Sequence, residues 1–488
     1  MEGNPNTTLF TFFLILFVSS CISKPLESQT LVLKPLTKPP TNKPDLDEEL
    51  SWPQESSSES DLSSTTLSLP LHHIDSLSQN EHVSAESLFN LRLKRDAVRV
   101  EALATLTTTA AGGAGGGKRN VSRKSGKDFS SSIVSGLPQG SGEYFTRLGV
   151  GTPPRYSFMV LDTGSDIVWL QCAPCRKCYS QTDPVFNPAN SKSYAGVACR
   201  SPLCHRLDVS GCNKKNSCLY QVSYGDGSFT VGEFSTETLT FRGTKVENVG
   251  FGCGHDNEGL FIGAAGLLGL GRGGLSFPTQ TGRRFGQRFS YCLVDRTSTA
   301  TKSSAIVFGD SSVPRSAVFT PILSNPKLNT FYYLELVGVS VGGTRVPKIS
   351  SSLFKLDAAG NGGVIIDSGT SVTRLTRPAY EALRDAFTAG AVGLKRAPGF
   401  SLFDTCFDLS GKSEVKVPTV VMHFGHGADV SLPASNYLIP INSNGVFCFA
   451  FAGTSSGLSI IGNIQQQGFR IVFDGAGSRI GFAPRGCV

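Results

Sequence analysis

Two aspartates, Asp162 and Asp367, stand 205 positions apart in nearly the same setting. Each follows an apolar pair, Val160-Leu161 or Ile365-Ile366. Each precedes a hydroxyl residue, a glycine and a second hydroxyl residue: Thr163-Gly164-Ser165 and Ser368-Gly369-Thr370. A buried strand that ends in a glycine-containing turn can push one carboxylate to the edge of a core, and two such turns can meet face to face. Carboxylates that close cannot both ionise cheaply, so they share a proton and titrate in two separated steps. One member of such a pair can take a proton from a bound water, while its protonated partner supports a developing alkoxide and then protonates a leaving nitrogen. Water attack on an amide by this route calls for no metal, no cofactor and no covalent intermediate.

The elements that must hold these turns are legible in outline. A chain of 488 residues exceeds one hydrophobic core and predicts two to three folding units. Its 39% apolar and 17% charged content is that of an ordinary soluble protein, and 54 glycines favour a turn-rich, mainly β chain. From Gly142 onward, short alternating segments between Gly, Asn-Gly and Pro turns predict sheet. An internal repeat is present: Tyr144 to Gly151 precedes the first loop and Tyr332 to Gly342 the second, while Leu267-Leu268-Gly269 and Ile460-Ile461-Gly462 follow them. The repeat predicts two lobes of one design, joined near Pro314 to Asn329.

The N-terminal quarter reads differently. Residues 1–23 are expected to be a secretory signal, from the apolar run Leu9 to Val18 and the small residues after it, with cleavage after Ser23. Glu2 and the lack of Lys or Arg at the amino end leave a short membrane anchor as the alternative, though the run is too short for a good span. Lys24 to about Pro70 is rich in Pro, Ser and Glu, a composition expected to be disordered alone. Ser84 to Leu106 reads as a helix in which Leu88, Leu91, Leu93, Val98, Val100, Leu103 and Leu106 interleave with Arg92, Lys94, Arg95 and Arg99. Thr107 to Gly117 reads as a flexible linker, and Asn120-Val121-Ser122 is a glycosylation sequon. Residues 24–128 together predict a propeptide, released between Gly112 and Gly140; a dispensable extension is the plainer alternative.

Of 13 cysteines, Cys21 falls in the signal, which leaves an even 12 and predicts disulfides formed in an oxidising compartment. The spacing Cys172, Cys175, Cys178 leaves a zinc or iron–sulfur cluster as the rival reading. Residues 1–128 carry 13 basic and 15 acidic side chains and residues 129–488 carry 32 and 23, so the positive surplus belongs to the body. Its charges are dispersed with no basic patch interleaved with aromatics, which argues against nucleic-acid binding.

With these residues in view, the chain from Gly142 to Val488 resembles the pepsin-like aspartic proteases, a mainly all-β, bilobal fold with an interlobe cleft. The resemblance implies Asp162 and Asp367 as catalytic, Thr163 and Ser368 as cross-lobe braces, and Ser165 and Thr370 as donors to the aspartates' outer oxygens. Gly164 and Gly369 lie in the same loops, and Gly269 and Gly462 lie behind them. Tyr224-Gly225-Asp226-Gly227-Ser228 is similar to the flap over the substrate, with Trp169 as the tyrosine's partner. Asp166 and Asp226 have no required partner and are expected to face solvent.

Within that family the block from Cys172 to Cys218 resembles the insertion of the plant nepenthesin branch. That likeness implies the pairs Cys172–Cys175, Cys178–Cys253, Cys199–Cys218, Cys204–Cys212, Cys406–Cys448 and Cys292–Cys487. The basic helix resembles the branch's prosegments, whose cations could reach the carboxylates and hold a zymogen closed near neutral pH.

The expectation is therefore a secreted endopeptidase, apoplastic or vacuolar, monomeric and without stable membrane association, with lobes at 129–320 and 321–488. It would act in acid on an extended protein or peptide substrate. The main rival is a glycanase-inhibitor-like binder on the same fold, which would lose a catalytic residue or the flap. A two-carboxylate glycosidase fits poorly, because its carboxylates must stand apart on either side of a sugar ring.

Overall fold

The computed structural model describes residues 28–36, 66–73, 83–109, 144–224, 228–242, 244–259, 263–294 and 304–486. The expected signal, the Gly-rich linker, Asn120, Gly225, Asp226, Gly227 and Cys487 lie outside the described residues.

Six antiparallel strands form a sheet to which both halves of the chain contribute, in the order Thr66–His73, Ser304–Gly309, Arg288–Cys292, Arg470–Asp474, Arg479–Ala483 and Val318–Leu323. Alternation places Phe289 and Phe473 on one face. Their rings stack with centroids 4.5 Å apart, and Tyr332 meets Phe473 edge-on at 4.6 Å. Such aromatic contacts make this seam part of one continuous core rather than a hinge.

Each half then builds its own loop support. In the first half, Arg155–Asp162 pairs with Tyr144–Val150 and runs parallel to Gly266–Gly269, which puts Gly269 beside Asp162. In the second, Val364–Ile366 pairs with Tyr332–Leu334 and runs parallel to Ser459–Ile461. The residues that lead into each loop, Phe158, Met159, Val160 and Leu161 in the first half and Val364, Ile365 and Ile366 in the second, are apolar and buried. Glycine is needed behind each loop: a Cβ on Gly269 would stand 2.4 Å from the Asp166 carbonyl carbon, and one on Gly462 would stand 2.6 Å from the Ser371 carbonyl oxygen.

The N-terminal segment departs from the irregular arm expected of its composition. Ser28–Val32 lies antiparallel on Glu414–Pro418, with Gln29 donating to Leu432 O and Tyr437 Oη. Thr66–His73 is the edge strand of the interlobe sheet, and its end also pairs with Tyr144 and Phe145. A chain too polar to bury a core of its own takes its backbone partners from sheets already formed.

The helix runs Ala85–Thr109, so Thr107 to Thr109 extend it into the expected linker. Ser84 caps it, its Oγ accepting from Ser87 N–H at 3.1 Å. Phe89, Leu93, Val100 and Leu103 form the buried apolar stripe, while Leu91 and Leu106 are exposed. Phe89 stacks between Phe400 and Phe403. Unusually, Arg92, Arg95, Asp96 and Arg99 share the buried side. Charges there must be paired to be tolerated.

Candidate active site

Asp162 ends its strand and Asp367 follows its own by one residue, so both carboxylates emerge at the floor of the groove between the halves, buried. Thr163 and Ser368 lock the two turns together: Ser368 N–H donates to Thr163 Oγ1 at 2.9 Å, and Thr163 N–H donates to Ser368 Oγ at 3.4 Å. Gly164 N–H donates to Asp162 Oδ1 at 2.9 Å, Gly369 N–H to Asp367 Oδ1 at 3.3 Å, and Thr370 Oγ1 to Asp367 Oδ2 at 2.6 Å.

Ser165 does not repeat the Thr370 contact that the resemblance implies. Its Oγ is buried without a hydrogen-bond partner among the described residues. The bonds of Asp162 fall on Oδ1, which Gly164 and Arg99 share, and none of them draws the carboxylate toward Ser165.

Arg99 occupies the space above both loops. Its Nη2 donates to Asp162 Oδ1 at 2.6 Å and to Asp367 Oδ1 at 2.8 Å, and its Nε donates to Asp367 Oδ2 at 2.7 Å. One nitrogen thus reaches an oxygen of each aspartate. A Cβ on Gly369 would stand 2.4 Å from Arg99 Cζ, so the loop glycine leaves room for the guanidinium. Burial works against charge on Arg99, but the two carboxylates outweigh it and hold the guanidinium well above its usual range. Burial likewise pushes the Asp367 carboxyl up, yet Arg99, Thr370 and the Gly369 N–H together hold it below the ordinary carboxylate range.

Over the groove, Cys218–Ser223 and Phe229–Phe241 form a hairpin that ends at Tyr224, whose N–H donates to Ser228 O at 2.8 Å. Trp169 Nε1–H donates to Tyr224 Oη at 2.6 Å. Between this hairpin and the helix remains a cavity of about 330 Å³, lined by Tyr224, Ile167, Leu207, Phe331, Leu103 and Arg99 among others.

Two further expectations need correction. Asp166 is not solvent-facing: it accepts from Thr330 Oγ1 at 2.7 Å and from Gly273 N–H at 2.8 Å, and burial raises its carboxyl above the usual range. It ties the first loop to the segment that enters the second half.

The cysteine pairing also differs. Strand Trp169–Gln171 runs parallel to the strand holding Cys253, which seats Cys172 beside Cys253 at a Cα–Cα distance of 5.3 Å and leaves Cys175 to close on Cys178. Cys212 and Cys218 are cross-strand partners, and Cys212 joins Cys199 while Cys218 joins Cys204. Cys406 and Cys448, also cross-strand partners, are joined to each other. Cys292 is disulfide-bonded, and its expected partner Cys487 lies outside the described residues. Disulfides therefore consume Cys172, Cys175 and Cys178, the three residues that had suggested a metal cluster.

Comparisons agree with this architecture. A family pattern described as "Xylanase inhibitor N-terminal" matches residues 144–310, and one described as "Xylanase inhibitor C-terminal" matches residues 331–484. The chain is 68% identical to "Aspartyl protease family protein 2" of Arabidopsis thaliana, over 87% of this chain and 86% of that one. It is 48% identical to "Protein ASPARTIC PROTEASE IN GUARD CELL 2" of the same plant, over 88% and 89%. It is 41% identical to "Aspartic proteinase nepenthesin-1" of Nepenthes gracilis, over 73% and 81%. Among solved structures, basic 7S globulin from soybean shares the fold with a TM-score of 0.56 at 22% identity, covering 70% of this chain and 92% of that one. Fold and relatives together define an aspartic-type endopeptidase. The chain belongs to the pepsin-like aspartic protease family, in its plant nepenthesin-type branch.

Proposed function

We propose that this protein is made as a latent, exported precursor and, once residues 24–128 are removed, hydrolyses peptide bonds in acid with Asp162 and Asp367. The observation that supports this most is the meeting of one Arg99 nitrogen with an oxygen of each carboxylate, because the position it fills is where a water must sit to touch both. With the helix gone, a singly protonated dyad would hold that water. The ionised member takes and keeps a proton of the water as it attacks the amide carbonyl; the neutral member hydrogen-bonds to the developing alkoxide and then gives its one proton to the leaving nitrogen as the C–N bond breaks, which leaves the dyad singly protonated again. The Thr163–Ser368 brace fixes the two loops, so no reorganisation is needed as charge moves. Tyr224 and Trp169 would close over a substrate lying extended across the groove, where strand-edge groups can pair with its backbone. The lobes at 129–320 and 321–488, glycosylation at Asn120, an apoplastic or vacuolar destination and a monomeric state belong to the same reading. No helix among the described residues is long and apolar enough to cross a membrane.

The test is hydrolysis of an unfolded protein by the acid-processed enzyme, with and without pepstatin. Asp162→Asn and Asp367→Asn are each expected to lower kcat by at least about a thousandfold while leaving the fold intact. Absence of cleavage by the folded, processed wild type would favour a binding protein on this scaffold.

A further inference from the structure

A second carboxylate of the helix is held by the body as closely as Arg99 is held by the dyad. Asp96 is 2% exposed and lies three residues before Arg99. Its Oδ1 accepts from Ser371 N–H at 2.5 Å and from Val372 N–H at 3.2 Å, and its Oδ2 accepts from Arg374 Nη2 at 2.5 Å. Arg374, 5% exposed, is steadied by donating Nη1 to Val372 O at 2.9 Å.

All three donors come from the stretch that begins four residues after Asp367. That stretch is fixed from behind: Thr373–Thr376 runs parallel to Phe451–Thr454, Arg374 faces Ile460, and Gln465 Oε1 accepts from the Thr373 hydroxyl. The donors are therefore part of the rigid wall, whereas the carboxylate they hold belongs to the segment that leaves.

Resting on the reading above, we propose that Arg374 with the Ser371 and Val372 N–H groups is a carboxylate-binding subsite of the working groove. It would take an Asp or Glu side chain of the substrate, and Asp96 is its built-in occupant in the precursor. A guanidinium and two backbone donors meeting on one small anion is the arrangement by which proteins select carboxylates over amides. Helix positions i and i+3 lie about 5–6 Å apart, and an extended peptide rises about 3.3 Å per residue. An acidic side chain in this seat would therefore fall about two residues from the bond lodged at the dyad.

The experiment uses the processed enzyme at about pH 5, above the ordinary range of peptide carboxyls. Peptides carry Asp or its Asn counterpart at each position within four residues of one scissile bond. In parallel, the same pairs are made with a reduced, uncleavable linkage, and their Kd values are measured. At one position the wild type is expected to favour Asp over Asn by about tenfold or more in both kcat/KM and Kd. In Arg374→Gln that ratio should fall to near one, and Arg374→Lys should restore part of it. Because each ratio is taken within one enzyme, a general loss of activity does not mimic the result.

A wild-type ratio of one at every position, or a ratio unchanged in Arg374→Gln, would reduce the Asp96 contact to a structural anchor for the helix. Asp-selective binding without any cleavage would keep the subsite and overturn the proteolytic reading. Cleavage without selectivity would do the reverse.

Discussion

Arg99 is the residue on which the closed state turns. A carboxyl held below its ordinary value contributes stabilisation that is complete above that value and is lost as pH falls through the lowered one. Asp367, ordinarily near 3.8, is such a group, so the helix should stay closed near neutral pH and loosen below the ordinary carboxylate range. Arg99→Gln leaves two buried carboxylates facing each other without a cation, a change expected to cost about 3–5 kcal/mol. Hydrogen exchange across residues 85–109 at neutral pH should rise accordingly, and the gap from wild type should shrink in acid. Trp169→Phe removes the indole donor to Tyr224, and a loss of about tenfold in kcat/KM without loss of fold is expected. At this scale the sequence was readable where chemistry repeats: both aspartates, Thr163, Ser368, Thr370 and the Trp169–Tyr224 pair stand in recognisable motifs, whereas Ser165 lacks the contact its motif implies. It was silent on Asp96, whose partners lie some 275 residues away, and it misplaced Asp166, whose partner Thr330 sits in the other half of the chain. No sequence window contains such contacts.

Among elements, the described residues of the N-terminal segment meet the body through the stretch that begins with Ser28–Val32, through Thr66–His73 and through the helix. The middle contact carries its own sensitivity to acid. His72 stacks on Phe145, its Nε2 is buried with no hydrogen-bond partner among the described residues, and burial lowers its pKa. A neutral, buried imidazole gives stabilisation that is complete above its ordinary 6.5 and is lost as pH falls from there toward the lowered value. Beside it, Arg92 Nη2 lies 3.3 Å from His73 Nδ1, which ties the helix to this strand. His72→Leu should therefore move acid release of this strand to lower pH, as read by exchange of residues 66–73. An unchanged midpoint would assign the release to carboxylates alone. The helix was legible because its leucines and valines recur with its basic residues within one local stretch. The two arm strands were not, since their composition argues against order and only pairing with distant sheets supplies it.

For the molecule as a whole, the interlobe sheet makes both halves one cooperative body. Phe473, 1% exposed between Phe289 and Tyr332, should cost about 3–5 kcal/mol when replaced by alanine, measured by urea unfolding. Tyr332 adds a bond across the halves, donating to Leu270 O at 2.7 Å. Two lobes followed from the internal repeat, but the order of strands in the seam and the partners of Cys172, Cys199 and Cys204 depend on register, which spacing does not set. The measurement that bears most directly on a paired-carboxylate site closed by Arg99 is the time course of cleavage after a pH drop, recorded for the full chain. The wild type should show a lag and then cleave, Arg99→Gln should cleave with little lag and from a higher starting pH, and Asp162→Asn should not cleave. A lag and pH onset unchanged in Arg99→Gln, or cleavage by Asp162→Asn, would contradict the account.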